Sequence, residues 1–417
     1  MRLIKSWGNN FQKNVKIVNT FNSHKHLLTF GNNNSYGDVS IPYGEYQFDP
    51  EIKSNESKFV NPKLTISEYM STYKNTLTSI PGKSDVTLGG AAASDVHGKD
   101  SFYNGSFIKN IKALKVLTSE GKLIECDREN YSELFYATVG GYGLTGTIIG
   151  IELFQNDYLN NILFDTVVFT GYEINNLLNQ FSKIESGFSV AWIDTLSKNL
   201  NWVLEVSHPT GIKSKKNKSL NKKKFQNIKP TLSFSLIGKN KFGLMSLINK
   251  IYFFLKRRRK NYFKNFEEVF YPLSLFTDTR LISKKQKIIQ VQFSIPEKNQ
   301  NAIPELIFLL TKKQSPLLCS LKRLGDNESS SNLSFIQKGW TIAIDFPYYE
   351  FNKIEIRKFI KFLIENDGKI YLAKDSIITD KEFQQMYRNH TIWMKIAKKY
   401  DPNSIFQSLL SKRLKIK

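Results

Sequence analysis

Three short stretches hold most of the residues with chemistry to offer. Residues 31–38 read GNNNSYGD, residues 86–100 read VTLGGAAASDVHGKD, and residues 140–146 read GGYGLTG. Glycine mixed with Asn, Ser and Asp makes turns whose successive N–H groups point inward, an arrangement that binds phosphate oxygens. Gly89, Gly90, Ala91, Ala92 and Ala93 carry almost no side chain, so a large flat ligand can lie against the main chain there. Alone, the first stretch is an ordinary loop as readily as a phosphate nest. The second is a tight turn at Pro81-Gly82 followed by a close-packed strand. No P-loop is present, because the Gly-Lys-Ser/Thr ending is missing, and the third stretch opens a strand where a Rossmann fingerprint needs a helix. Taken together in one strand-rich region, the three point to a long ligand threaded between loops: a diphosphate with a planar ring at one end. His97, inside the second stretch, fits a structural hydrogen-bonding role and a proton-handling role equally well.

The chain of 417 residues is long for one core, which suggests two domains or one large domain with a cap. Sixty Lys and Arg against 37 Asp and Glu give a net charge of +23, which calls for an anionic partner. Two cysteines, Cys126 and Cys319, in no CxxC pattern argue against a disulfide framework and exclude a cysteine-based metal site; no metal is expected. The opening MRLIKSWGNNFQ lacks an apolar stretch of signal-peptide length, and no run of about 18 apolar residues occurs. A cytoplasmic protein, free or peripheral on the inner membrane, is the expectation. No nucleic-acid module is visible, so nucleic acid is not the expected partner.

The elements that must position these stretches follow from pattern. Residues 28–40 read as a strand with a polar exit, 86–90 as a strand, 111–126 as a hairpin about Ser119-Glu120-Gly121, and 133–137 as a short helix before an apolar strand ending near 154. After about 161 strands and helices alternate, with helices at 302–313, 353–366 and 380–399, and KIYLAKD reads as a strand. This predicts an α+β fold: an antiparallel sheet covered by helices. Residues 211–224 read as a basic loop. Residues 242–255 have helical apolar spacing and run into Lys256-Arg257-Arg258-Arg259-Lys260. With Tyr252, Phe253, Phe254, Tyr262 and Phe263, residues 242–264 fit a surface anchor for anionic membrane and a core helix with a solvated end equally well.

As a set, these motifs resemble the FAD-linked oxidases of the vanillyl-alcohol-oxidase superfamily, in the decaprenylphosphoryl-ribose 2-oxidase branch. The C-terminal half agrees: FYPL, IIQVQFSIP, LKRLGD, SFIQKGWTIAIDFP, GKIYLAKDS and YDPNSIFQSLLSKRL occur in order. The resemblance implies a two-part FAD-binding domain over 1–155, a substrate cap over 156–380 and a helical segment, 381–417, returning to the first. It implies that Gly31, Asn34, Ser35, Tyr36, Gly37 and Asp38 hold the diphosphate. Gly82, Thr87, Gly89, Gly90, Ala93, His97 and Gly98 would lie along the ring and diphosphate, with Asn104, Gly105, Ser106 and Phe107 beside the flavin. Gly141, Gly143, Thr145 and Gly146 form the third loop, with Ile148 and Ile149 near the adenine. Tyr36 stands where covalent relatives carry the flavin-bearing His, so dissociable FAD is expected.

For the substrate, the resemblance places Gln290, Gln292, Lys322, Thr341 and Ala343 around the sugar and its phosphate. Lys374 lies near the oxidised carbon, with His97 and Tyr271 completing the catalytic set. Ala343 replaces a pocket Cys of the best-known relatives, so thiol-directed inhibitors should not react. The stretches before Gly31 and between Asp38 and Val86 are shorter than in the family, and Lys83 and Asp85 replace commoner residues. The implied activity is oxidation of the C2 hydroxyl of a polyprenyl-phosphate-linked pentose, by hydride transfer to FAD, in an epimerase pair with a short-chain dehydrogenase. A quinone or similar acceptor would take the electrons. Two other readings stand: a soluble flavin oxidase of a free sugar, alditol or aldonolactone, and a non-catalytic lipid- or carbohydrate-binding relative.

Overall fold

The computed structural model describes residues 1–52, 58–159, 161–213, 241–271, 287–314, 316–326, 333–348 and 351–417. Its centre is an eight-stranded sheet in the order β10-β7-β9-β8-β12-β13-β11-β14, antiparallel at each pairing described. The strands are β7 (Ile162–Gly171), β8 (Phe188–Ile193), β9 (Trp202–Lys213), β10 (Asn261–Lys264), β11 (Ile288–Pro296), β12 (Leu318–Leu324), β13 (Gly339–Pro347) and β14 (Lys369–Ile370). Alternation along β11 and β13 decides which side is core. Ile289, Val291, Phe293 and Ile295, with Ile342, Ile344 and Phe346, are buried in one apolar cluster. Helices at Ile174–Ser182, Ile303–Thr311 and Lys353–Glu365 contribute Leu177, Phe181, Leu306, Leu310, Phe359 and Leu363 to that cluster. The opposite face is polar: register pairs Gln290 with Asp345, Gln292 with Ala343, and Lys322 with Thr341.

Two three-stranded sheets stand beside it. One holds β1 (Arg2–Lys5), β2 (Gln12–Val18) and β3 (Tyr46–Phe48), with β2 and β3 parallel. The other has the order β5-β4-β6, from β4 (Ile111–Leu117), β5 (Leu123–Asp127) and β6 (Thr147–Leu153). The β4–β5 hairpin turns at Gly121, whose φ of 76° is the left-handed conformation glycine tolerates. A second apolar cluster joins this sheet to α1 (Ile66–Tyr73), α2 (Leu88–Ala93) and α4 (Ser132–Thr138), α3 being the single turn Ser101–Asn104.

Four expectations need correction. Residues 88–93 are helical, not strand: Thr87 caps α2 by accepting from the Gly90 N–H at 3.1 Å, and three alanines favour helix more than two glycines oppose it. The strip of small residues is therefore a helix face. KIYLAKD is strand only at Lys369–Ile370; the chain then turns, the Lys374 N–H donating to Tyr371 O at 2.9 Å. The expected helix 380–399 is two helices, Asp380–Met386 and His390–Tyr400, parted where Tyr387 leaves helical geometry. In 28–40 only one isolated bridge forms, at Thr29, beside another at Leu27. Of the basic loop 211–224, residues 211–213 end β9 and the rest lies outside the described residues.

Candidate active site

The three glycine stretches meet. A Cβ on Gly31 would stand 2.4 Å from Thr87 Oγ1, so the first loop touches the cap of α2. Asn34 donates to the Asp85 carbonyl at 3.1 Å and accepts from Lys83 at 2.8 Å. The third stretch closes on the far end of α2, where Gly140 and Tyr142 donate to Ala92 O and Ala93 O. None of the N–H groups of residues 31–37 reaches a protein acceptor among the described residues. Asn33 adopts φ 50° in the middle of this run, the turn geometry of an anion nest. Open space lies where side chains would project from Gly82 and Gly143, with one protein atom within 4 Å of each Cβ position, while a Cβ on Gly90 would press on Thr87 Oγ1 at 2.9 Å. A flavin dinucleotide fits this cradle: free N–H groups for its diphosphate and bare backbone for its rings.

Other predicted residues here act on the protein itself. A Cβ on Gly98, Gly141 or Gly146 would collide with Ile80, Ala137 or Leu117 backbone, so these glycines permit close packing. Asn104 donates to Asp100 Oδ2 at 3.0 Å, Ser106 to Asp95 at 2.8 Å, and Thr145 pairs with Thr138 at 2.9 Å. Gly89 packs on Pro62, Phe107 is buried in the second cluster, and Ile148 lies buried on β6.

Against the cradle stands the polar face of the large sheet. His97 Nε2 lies 2.7 Å from Gln292 Nε2, and His97 Nδ1 lies 3.3 Å from Lys322 Nζ. Burial, then the charges of Lys322 and Lys374, holds the imidazole pKa well below its ordinary value, so the ring carries one proton. Two arrangements satisfy it. Gln292 donates to both Nε2 and Thr341 Oγ1, the latter at 3.1 Å, and Nδ1–H then donates to a neutral Lys322 amine. With the amide turned over, Nε2–H donates to Gln292 Oε1 and the Lys322 ammonium donates to Nδ1. Burial pushes Lys322 down to about 8, which puts both forms within reach near neutral pH.

Lys374 arrives from the turn after β14, its Nζ 4.3 Å from the centre of the Tyr36 ring. Gly37 lets the first loop come this near, since a Cβ there would lie 1.6 Å from Asp375 O. Burial, and then Lys83, push Lys374 down to about 7, against an opposing pull from Asp345. Asp345, which accepts from Gln290 at 2.8 Å, is pushed up to about 6 by burial. Gly37→Ala is expected to part the first loop from the Lys374 turn. The purified variant should then keep less than about a tenth of the wild-type flavin absorbance per protein; full retention would show that the contact does not matter.

Three residues escaped sequence reading. Lys99 donates to Val269 O, and burial and Lys264 push it down to about 7. Asp345 shares a strand face with Thr341 and Ala343, so period two could have found it. Trp7, in the β1–β2 turn, lies 4.3 Å from the Tyr36 ring with its indole N–H buried and without a protein acceptor among the described residues. Its turn is held by Gly8 O, which accepts from Ile288 N at 2.9 Å. Tyr271 is buried against Phe266 and Phe270, two residues beyond the Lys99 acceptor.

Known proteins share this arrangement of sequence. Decaprenylphosphoryl-beta-D-ribose oxidase of Mycolicibacterium smegmatis is 27% identical over 352 residues, 81% of this chain and 75% of that protein. Cytokinin dehydrogenase 2 of Arabidopsis thaliana is 36% identical over a 63-residue stretch, 15% of this chain and 13% of that enzyme. The chain is similar in sequence to these FAD-linked enzymes and is an FAD-dependent oxidoreductase. An uncharacterised Streptomyces coelicolor protein is 22% identical over 80% of this chain and 94% of its own length. No family profile matches the chain. In this FAD-linked oxidoreductase the cradle of the first 150 residues and the polar sheet face are the two halves of the candidate site.

Proposed function

We propose that the protein oxidises the C2 hydroxyl of a polyprenyl-phosphate-linked pentose to a 2-keto sugar, paired with a short-chain dehydrogenase that reduces the ketone on its other face. The observation that carries this reading is the group of three half-buried lysines, Lys99, Lys322 and Lys374, gathered beside the glycine cradle, each amine pushed down to about 7 or 8. Lys322 lowers both of the others, so positive charge is in excess there, and an anionic substrate would relieve it. The Mycolicibacterium relative is named for a phosphoryl-linked ribose, a substrate of that chemistry.

FAD, when bound, supplies the acceptor for the hydride that leaves C2. Residues 31–37, Gly82, Gly90 and Gly143 would hold it, and Tyr36 leaves no histidine for a covalent link at that point. Lys374, largely neutral above pH 7, takes the hydroxyl proton at Nζ. Lys322 and Lys99 hold the phosphate, while Gln290, Gln292 and Thr341 orient the sugar. His97 fixes the position and charge of Lys322. The electrons leave in the end for a quinone or similar acceptor.

The visible spectrum before and after acid precipitation tests the cofactor. Flavin colour should pass entirely to the supernatant. Anaerobic addition of a polyprenyl-phosphate pentose should then bleach the intact protein, and a free pentose should not. A colourless protein unable to take up FAD would overturn the reading. Bleaching by a free sugar alone would replace it with that of a soluble sugar oxidase.

A further inference from the structure

The helix Lys241–Arg258, here α6, has two apolar faces, and among the described residues one of them is covered. On the inner side Phe253 is buried with Val168 of β7 and Val203 of β9, Asn249 donates to Asp194 at 2.7 Å, and Lys256 pairs with Glu205 at 2.5 Å. On the outer side Leu247, Ile251, Phe254 and Leu255 leave half or more of their surfaces exposed, and Ile248 more than a third. Their spacing, i, i+4, i+7 and i+8, sets them in a single stripe. Lys250 and Arg257 are exposed along its border, and Arg258, Arg259 and Lys260 are exposed at its end. Arg258 lies over the Phe254 ring at 4.0 Å, its charge held at the edge of the apolar surface. Phe263 on β10 adds a further exposed aromatic ring. No described helix is long and apolar enough to cross a membrane.

We propose that the outer stripe of α6 lies in the interface of an anionic phospholipid membrane, its leucine, isoleucine and phenylalanine side chains among the acyl chains and its basic rim on the headgroups. An apolar stripe bordered by five cations is complementary to such a surface. A second protein copy would set the same five charges against their own kind. The stripe is tied to the candidate site. α6 leads into β10, where Lys264 pairs with Glu205 at 2.5 Å, and the Lys264 charge bears on Lys99. The following helix, Phe266–Phe270, supplies the Lys99 acceptor at Val269. Membrane contact thus sits one strand and one short helix away from the proposed phosphate-holding amine. For its purpose, delivery of a lipid-linked substrate, the inference rests on the proposed function.

Sedimentation with vesicles tests it. The flavin-loaded protein should bind phosphatidylcholine vesicles containing about a third phosphatidylglycerol at least tenfold better than pure phosphatidylcholine, and about 0.5 M salt should remove most of that preference. The variant Leu247→Glu/Ile251→Glu/Leu255→Glu should bind about a hundredfold less well. Its three changed side chains are all exposed, and an unaltered far-ultraviolet circular dichroism spectrum confirms the fold. No binding to anionic vesicles, or equal binding by the folded variant, overturns the inference. A wild-type dimer that the variant dissociates also overturns it, since a second copy would then cover the stripe. Because sedimentation is read whether or not any sugar bleaches the flavin, a failed substrate and a failed membrane contact give different results.

Discussion

Replacing Lys374 by methionine should lower kcat by about 10²–10⁴-fold, the range a positioned acid or base contributes, while the protein keeps its flavin colour. The side chain is held over Tyr36 by a turn that the substitution leaves intact. The direction of its pKa shift fixes the pH profile. A lysine pushed down to about 7 is protonated below that pH and cannot accept a proton, so kcat/KM should rise with pH through about 7. Lys322 and Lys99 must be ammonium groups to hold a phosphate, and they lose their protons through about 8 and about 7, so the same parameter should fall as the pH rises beyond about 7. A narrow bell follows, and Lys374→Met should erase its acid limb. Lys374→Arg separates proton transfer from charge, because a guanidinium stays protonated at every relevant pH. The arginine variant should be as slow as the methionine one. If it turns over within threefold of wild type, Lys374 is an anion holder and the base lies elsewhere.

The legible parts of this protein were those where one period decides the outcome. Alternation in IIQVQFSIP puts Gln290 and Gln292 on one face, and the register sets Asp345 and Ala343 of the neighbouring strand opposite them. Alternation in WTIAIDF would bring Asp345 to the same face as Thr341 and Ala343. Lys99 was hidden because its neighbour Gly98 reads as part of a ligand loop, whereas that glycine serves close packing on Ile80. Residues 88–93 were misread because a glycine pair ordinarily marks the end of an element; the Thr87 cap and the alanine run that make it a helix were both visible. Lys374 was expected at the end of a strand. What sets its place is a backbone turn and a contact with Gly37 over three hundred residues away, and no local pattern encodes such a contact. Trp7 has the same origin, in a hairpin that reaches the site by docking on Ile288 and on Ser35 O, which accepts from the Trp7 N–H at 2.8 Å.

Arg413→Met should destabilise the protein by about 3–5 kcal/mol, the usual result of stripping one partner from a buried ionic group. In the C-terminal helix Leu409–Arg413, Arg413 directs Nε and Nη2 to the two Asp38 oxygens at 2.8 and 2.9 Å. Nη2 also reaches Asp375 Oδ2 at 2.7 Å, and Nη1 donates to Ile378 O at 2.6 Å. Burial works against its charge, but Asp375 and Asp38 outweigh burial and hold the guanidinium pKa above its ordinary value. Asp38 ends the first glycine loop and Asp375 follows Lys374, so one guanidinium fastens the proposed diphosphate cradle to the proposed base. Without it, two buried carboxylates face each other uncompensated, and both segments should loosen together. The expected record is a lower urea midpoint with loss of flavin at a denaturant concentration the wild type tolerates. Arg413→Lys keeps the charge but lacks the fork that serves two carboxylates and a carbonyl, so it should fall between the two. Adding Asp38→Asn and Asp375→Asn to Arg413→Met removes the stranded charges and should recover part of the loss. An unchanged midpoint in the single methionine variant would show that the clamp bears no load, and the two segments would then owe their approach to the Gly37 contact alone.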